Sequence, residues 1–168
     1  MTATYEAIAT TTVGTAVADV TFSTISGSYT DLVLTVAKLT STTSSPYLCF
    51  QFNSDTGSNY SSTILEGNGS TASSNRWSNE PQIYTGYNVA SGTTSDGMVI
   101  THFQNYSNTT TNKTSLTRTA ILGGSFPGTG AVVGLWRSTA AITSIKIFQN
   151  AGNINSGCVL TLYGIKAE

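Results

Sequence analysis

Apolar and polar positions alternate along most of this chain, in short runs separated by turn-forming residues. In the stretch 46–67, one alternating run, YLCFQF, is followed by a second, YSSTILE, and the polar sequence NSDTGSN lies between them. A period of two is typical of β-strands, and a cluster of Gly, Asn, Asp and Ser between two such runs favours a turn. The pattern therefore predicts two strands joined by a polar turn at 53–59.

Similar runs recur along the chain and predict about nine or ten strands, spaced about 8 to 15 residues apart. They fall at 5–12, 17–24, 32–37, 47–52, 60–66, 97–105, 115–123, 132–138, 142–150 and 158–166. Apolar residues do not recur with helical spacing. We therefore predict an all-β chain with little helix, a single domain over 1–168 folded as an antiparallel β-sandwich of the jelly-roll type. The short connection 106–112 predicts that the strands on either side of it form a hairpin.

The segment 68–95 is the least patterned part of the chain. It is rich in Ser, Asn, Gly and Thr, and its aromatic residues are Trp77, Tyr84 and Tyr87. We predict that it is a polar loop excursion from the sandwich whose aromatic residues cover part of its surface. The terminal strands, 2–12 and 158–166, are predicted to lie at sheet edges, where they could pair with another chain.

Composition excludes several classes of function. Charged residues make up 9% of the 168 residues and the formal net charge is −1, so no basic footprint for nucleic acid is present. No apolar stretch is long enough to span a membrane, and the N-terminus has no pattern of a secretory signal. Because charge is scarce, we expect association with a partner to depend little on salt.

The chain has few residues that could carry catalysis. Cys49 and Cys158 lie in strand patterns and are interpreted as buried apolar residues, although a disulfide between them stays open at this point. The single histidine, His102, is interpreted as a structural or surface residue, because no Gly-x-Ser-x-Gly elbow is present. Two cysteines and one histidine are too few for a typical structural zinc site.

A glycosidase would need two carboxylates facing each other about 5 to 10 Å apart. The mid-chain acids that could supply them are Asp55, Glu66, Glu80 and Asp96. Sequence alone neither pairs nor separates them. We expect no enzymatic activity and no cofactor.

The turn at 53–59 also bears on calcium binding. Asn53, Asp55 and Asn59 supply side-chain oxygens at alternate positions, as at the start of a calcium loop. An EF-hand would need Gly at the sixth position and Glu at the twelfth, where this chain has Ser58 and Ile64. We therefore interpret 53–59 as a turn held by side-chain hydrogen bonds, with a weak calcium candidate at these three residues.

Aromatic residues in polar surroundings are the candidates for contact with a ligand or a protein partner. Exposed Trp and Tyr side chains can stack on sugar rings, and Trp and Arg are enriched at the centres of protein interfaces. The candidates are Arg76, Trp77, Tyr84, Tyr87 and Tyr106. The alternative is that these aromatic residues close the ends of the sandwich.

Three stretches of the chain resemble a family of small β-sandwich virion proteins of tailed bacteriophages, especially those of cyanobacteria and other aquatic hosts. They are YEAIATTTVG with VTFSTI and YTDLVL near the start, FQFNSDTGSNY in the middle and LTLYGI near the end. Such domains serve as capsid decoration (cement) proteins and as modules of tail fibres. No catalytic motif of that family is carried over.

The resemblance implies a virion surface protein, made in the host cytoplasm. Because the sandwich pattern occupies nearly the whole chain, we expect a stand-alone decoration protein that binds the major capsid protein and forms a homo-oligomer, a trimer, on local threefold axes. The alternative is a tail-associated module that binds host-surface polysaccharide.

Overall fold

The computed structural model describes residues 4–88, 97–121 and 128–166, except for the side chains of Tyr87 and Asn88. Its secondary structure consists of strands: β1 (Tyr5–Thr12), β2 (Asp19–Phe22), β3 (Asp31–Leu39), β4 (Tyr47–Phe52), β5 (Tyr60–Gly67), β6 (Ala72–Glu80), β7 (Ile83–Asn88), β8 (Gly97–Gln104), β9 (Lys113–Ile121), β10 (Gly128–Trp136), β11 (Ile145–Gln149) and β12 (Val159–Ile165). All of their pairings are antiparallel. None of the described residues belongs to a helix that could cross a membrane.

The strands form two sheets with the connectivity of a jelly roll. One sheet has the order β1-β12-β3-β8-β9-β10-β5-β6, and the other has the order β2-β11-β4-β7. The first four strands of the larger sheet and the four strands of the smaller one make two interleaved Greek keys, the arrangement of a jelly roll. The predicted all-β, antiparallel, jelly-roll sandwich is confirmed, and so is the hairpin of β8 and β9.

The other four strands extend the larger sheet beyond β8. The hairpin β5–β6 is inserted between β4 and β7, and β9 and β10 are inserted between β8 and β11. We call β9, β10, β5 and β6 the extension. The prediction of a loop excursion at 68–95 was wrong where the structure describes that segment, because residues 72–80 and 83–88 are strands. These two strands bring the described number to twelve, above the predicted nine or ten. Strand β6 lies at the edge of the larger sheet, and most of its residues are exposed to solvent. It therefore has polar residues on both faces and lacks the alternation of apolar and polar residues that is typical of a strand.

The core lies between the two sheets. Phe52 packs edge-on against Phe103, with ring centroids 5.5 Å apart, and lies 5.5 Å from the ring of Trp136. Several inward side chains of β8 and the extension are small: Thr101 of β8 and Thr117 of β9 share a buried hydroxyl contact of 2.9 Å. Small side chains here allow β7 to pass close beneath the extension.

Two further expectations are decided by the fold. Cys49 and Cys158 are both buried and free. The interpretation of both as buried apolar residues is confirmed, and they do not form a disulfide. Strand β1 is at a sheet edge as predicted. The same prediction was wrong for the C-terminal strand, because β12 lies between β1 and β3 and its backbone is paired on both sides.

Candidate functional site

The turn between β4 and β5 is held by its own polar side chains. The Asp55 carboxylate accepts hydrogen bonds from the Gly57 amide at 2.8 Å, from Asn59 Nδ2 at 3.0 Å and from Trp136 Nε1 at 2.7 Å. Asn53 Oδ1 accepts from the amides of Thr143 and Ser144 at 2.8 and 3.1 Å. The carboxylate and the Asn53 amide oxygen thus face different protein donors.

This arrangement gives no support to a calcium site at Asn53, Asp55 and Asn59. Asn59 points its amide nitrogen, a donor, at Asp55, so its oxygen does not join the carboxylate around a common point. Within the described residues no group of three His, Cys, Asp or Glu side chains is placed to hold a metal ion. The turn acts as a structural corner of the sandwich.

Electrostatics at this corner favour the ionised carboxylate. Burial raises the pKa of Asp55, but the hydrogen bonds from Trp136, Asn59 and Gly57 lower it further than burial raises it, so the pKa lies below its usual value. Arg137 extends the corner, since its guanidinium donates to Ser61 Oγ at 2.6 Å and to the Ser58 carbonyl at 2.8 Å. The corner therefore fixes the end of β5 against the end of β10.

An aromatic cluster lies where β6 of the larger sheet approaches β4 and β7 of the smaller one. The Trp77 ring is 5.5 Å from that of Tyr47 and 5.2 Å from that of Tyr84, and the two tyrosine rings are 5.8 Å apart. All three side chains are half-buried. Burial raises the pKa of Tyr47 and Tyr84, so both hydroxyls stay protonated at neutral pH. The cluster presents part of each ring to solvent and closes over the buried Cys49, the cross-strand partner of Tyr84.

The structure separates the other predicted contact residues from this cluster. Arg76 pairs with Thr63 and Trp77 pairs with Ser62, so the two side chains point to opposite faces of β6. Tyr106 is fully buried, which contradicts its role as a contact residue. Its hydroxyl donates a hydrogen bond to the Ser26 carbonyl and accepts one from the Tyr29 amide. These two bonds anchor the turn before β3. The Tyr87 side chain lies outside the described part of the chain.

A second surface, which sequence reasoning missed, lies on the outer side of β8 and the extension. Five large apolar side chains of the described residues are exposed, and four of them point outward here: Leu65 (61% exposed), Met98 (47%), Leu116 (43%) and Val133 (54%). The register places the outward side chains in three adjacent rows. The first contains Ile100, Arg118, Ala131 and Leu65. The second contains His102, Leu116, Val133, Thr63 and Arg76, and the third, on the other side of the first, contains Met98, Ala120, Thr129 and Gly67. We call the outward side chains Leu65, Met98, Ile100, Leu116, Ala131 and Val133 the apolar face.

The apolar face is broad enough to be an interface. Its members lie on four strands, which at about 4.8 Å spacing are about 14 Å across, and three rows of outward residues are about 13 Å long. With side-chain margins the area is on the order of 400 Å², which is within the usual range for the largest, often functional, patch on a monomer.

The sequence carried a signal for this face that was not used. Met98 and Ile100 alternate with Val99, Thr101 and Phe103, so apolar residues occupy both sides of one strand. A strand that covers the core on one side needs only one apolar side. The sequence could not show that the second side stays uncovered.

His102, Glu66 and Glu80 lie in different parts of the fold. His102 is half-buried on the outer side of β8, between Val33 and Leu116. Glu66 lies near the end of β5, whereas Glu80, the last residue of β6, pairs with Tyr60 at the start of β5. Asp96 lies outside the described residues.

Comparisons with known proteins show no family. No family model matches the chain, and no curated protein matches it. Among solved structures, the chain is similar to mouse laminin α1 domains LG4-5 (14% identity, TM-score 0.30), covering 91% of this chain and 40% of that one. It is also similar to the PL-14 alginate lyase of Aplysia kurodai (10% identity, TM-score 0.28), covering 86% of this chain and 72% of that one. At these scores the likenesses carry no functional argument.

Proposed function

We propose that this protein is a non-enzymatic capsid decoration protein of a tailed phage. It binds the outside of the capsid shell through the major capsid protein, self-associates as a trimer and stabilises the shell by bridging subunits. The observation that carries the proposal is the apolar face: four large apolar side chains are exposed on adjacent strands of a rigid sheet. The resemblance of the chain to virion β-sandwich proteins is the reason for proposing a phage capsid as the particle.

The size of the apolar face fits attachment at many points. A standard protein interface buries about 800 Å² on each partner, about twice the area of this face. A single contact of this size is weak. Linked copies on one shell raise the effective concentration of each further contact, so weak contacts add up to firm attachment.

The test is the location and copy number of the protein in purified particles. We expect quantitative mass spectrometry to find a copy number comparable with that of the major capsid protein, and immunogold labelling to spread over the shell. Labelling confined to the tail, with a handful of copies per particle, would refute the proposal.

A second candidate, a tail-associated module that binds host polysaccharide, is favoured by the aromatic cluster. Trp77 is half-buried and Tyr47 and Tyr84 lie beside it, so part of an aromatic surface is open to a sugar ring. This function predicts binding on a glycan array that is lost in Trp77→Ala and kept in Tyr5→Ala, an exposed aromatic residue elsewhere. Equal binding by both variants, or none by the wild type, would rule it out.

A further inference from the structure

We propose that the apolar face is the surface that attaches to the shell, and that its partner is a protein surface with carboxylates around an apolar patch. The partner is not a second copy of this chain. This inference rests on the proposed function and adds to it the chemistry of the partner and a salt dependence.

Arginines are concentrated on this face. Arg118 lies in the first row between Ile100 and Ala131, and Arg76 lies at the end of the second row. The guanidinium of Arg137, bound to Ser61 Oγ, lies at the rim. These are the three arginines of the chain.

The arginines of the apolar face have no acidic counterpart in the described structure. The outward positions of β8 and the extension contain no Asp or Glu among the described residues. Glu66 lies next to Leu65 but pairs with Ser73 on the other side of the strands, where it accepts a hydrogen bond of 3.3 Å. The ion pairs of the described residues, Lys146–Asp19 and Lys166–Glu6, are elsewhere.

This charge pattern decides between two kinds of partner. A second copy placed face to face would bring arginines of the two chains together in an apolar interface, and like charges so placed cost binding free energy. A surface with carboxylates would instead accept the paired N–H donors of each guanidinium, which suits planar, two-point hydrogen bonding. Charge complementarity therefore favours an acidic partner.

The relief of the face fits a partner with projecting side chains. One shallow hollow is lined by Met98, Ile100, Arg118 and Ala120. A second is lined by Leu65, Glu66, Gly67, Ala72 and residues 129–131, which belong to both sides of the sheet, so this hollow lies at the end of β5 and β10 and not on the apolar face alone. A projecting group of the partner in the first hollow would lie beside the Arg118 guanidinium.

The experiment measures co-sedimentation of the full chain with empty shells built from the major capsid protein of the same particle, at low and high salt. We expect Arg118→Glu and Val133→Asp each to weaken binding more than tenfold at low salt. The low overall charge predicted little salt dependence, but because the arginines are gathered at this face we now expect wild-type binding to weaken several-fold at high salt, and Arg118→Glu to reduce that salt dependence. The matched control is Lys146→Glu, the same charge reversal on the outer side of the smaller sheet, which should bind like the wild type. Circular dichroism checks that each variant is folded.

The outcomes separate this inference from the proposed function. Shell binding by the wild type that Arg118→Glu and Val133→Asp leave unchanged would overturn the inference alone. No shell binding by the wild type would overturn both. Retention on polygalacturonate in place of shells, lost in Arg118→Glu, would assign the face to an acidic polysaccharide. If light scattering shows that the wild type is an oligomer and that Val133→Asp is a monomer, the apolar face would be assigned to contact with a second copy. Either of these last two results would also refute the inference.

Discussion

Replacing Asp55 by Ala tests whether one carboxylate holds the corner between β4 and β5. The variant removes the acceptor for three donors: Trp136 Nε1 at 2.7 Å, the Gly57 amide at 2.8 Å and Asn59 Nδ2 at 3.0 Å. The first donor belongs to a side chain that is 2% exposed, whereas Gly57 is at the surface. Trp136 should therefore account for most of the effect.

The magnitude follows from these contacts. A hydrogen bond to a charged group contributes about 1.5–3 kcal/mol, and a buried donor left without an acceptor costs about 1–3 kcal/mol. Water can replace the carboxylate at Gly57 and Asn59, so those bonds add less than about 1 kcal/mol. We expect Asp55→Ala to lower the free energy of unfolding by about 3 kcal/mol.

The assay is chemical denaturation of a double-mutant cycle. Trp136→Phe keeps an aromatic ring but has no N–H, so Asp55→Ala in that background should cost only about 1 kcal/mol. The interaction free energy between the two sites should then be about 2 kcal/mol, well above the scatter of additive sites. A value below about 0.5 kcal/mol would refute the argument that the indole N–H depends on this carboxylate.

The pH dependence gives a second check on the same variant. Because the pKa of Asp55 is lowered in the folded state, its contribution is present above the unfolded pKa, about 4, and is lost as pH falls through the lower folded pKa. The difference in unfolding free energy between wild type and Asp55→Ala should therefore shrink as pH falls from 7 to 3. A difference that grows on acidification would contradict this sign.

Two further predictions concern the packing of the sandwich. Gly134→Ala should lower the free energy of unfolding by about 1–3 kcal/mol, because a Cβ there would lie 2.8 Å from Ile83 Cδ1 and 2.5 Å from Ser115 Oγ. Gly14→Ala, with nothing within 4 Å, is the control and should be close to neutral, so equal losses in urea denaturation would argue against close packing beneath the extension. Burial raises the pKa of Cys158 to about 12, so stability linked to this thiol is complete below about pH 9 and is lost as pH rises towards 12. Between pH 8.5 and 10.5 the wild type should lose about 2 kcal/mol more than Cys158→Ala, and parallel pH profiles would show that the thiol does not titrate in this way.

The expected contact residues show how far local pattern reaches. Arg76 and Trp77 are adjacent in sequence, and in a strand adjacent side chains point to opposite faces, so treating them as one site followed from the failure to see β6 as a strand. Tyr106 follows a strand in a polar connection, where exposure is the natural expectation. It is buried because the distant turn at 25–29 packs over it, a contact between residues about 80 positions apart.

The sequence alone determined the class of fold and ten of the twelve strands that the structure describes. Successive residues of a strand point to opposite sides, so a strand with one side towards the core has alternating apolar and polar residues. This alternation is visible within a few neighbouring residues of the sequence. The polar turn at 53–59 could be read for the same reason, because its hydrogen bonds from Gly57 and Asn59 to Asp55 stay within the turn.

Only the tertiary structure decided the order of the strands and the apolar face. Strand order depends on pairings between distant residues, such as β5 with β10, which leave no periodic mark on either strand. The apolar face exists because the extension continues the larger sheet past β8 and nothing in the described chain covers its outer side. Apolar residues on both sides of a strand look the same in a sequence whether the second side meets protein or solvent, so their exposure could be seen only after folding.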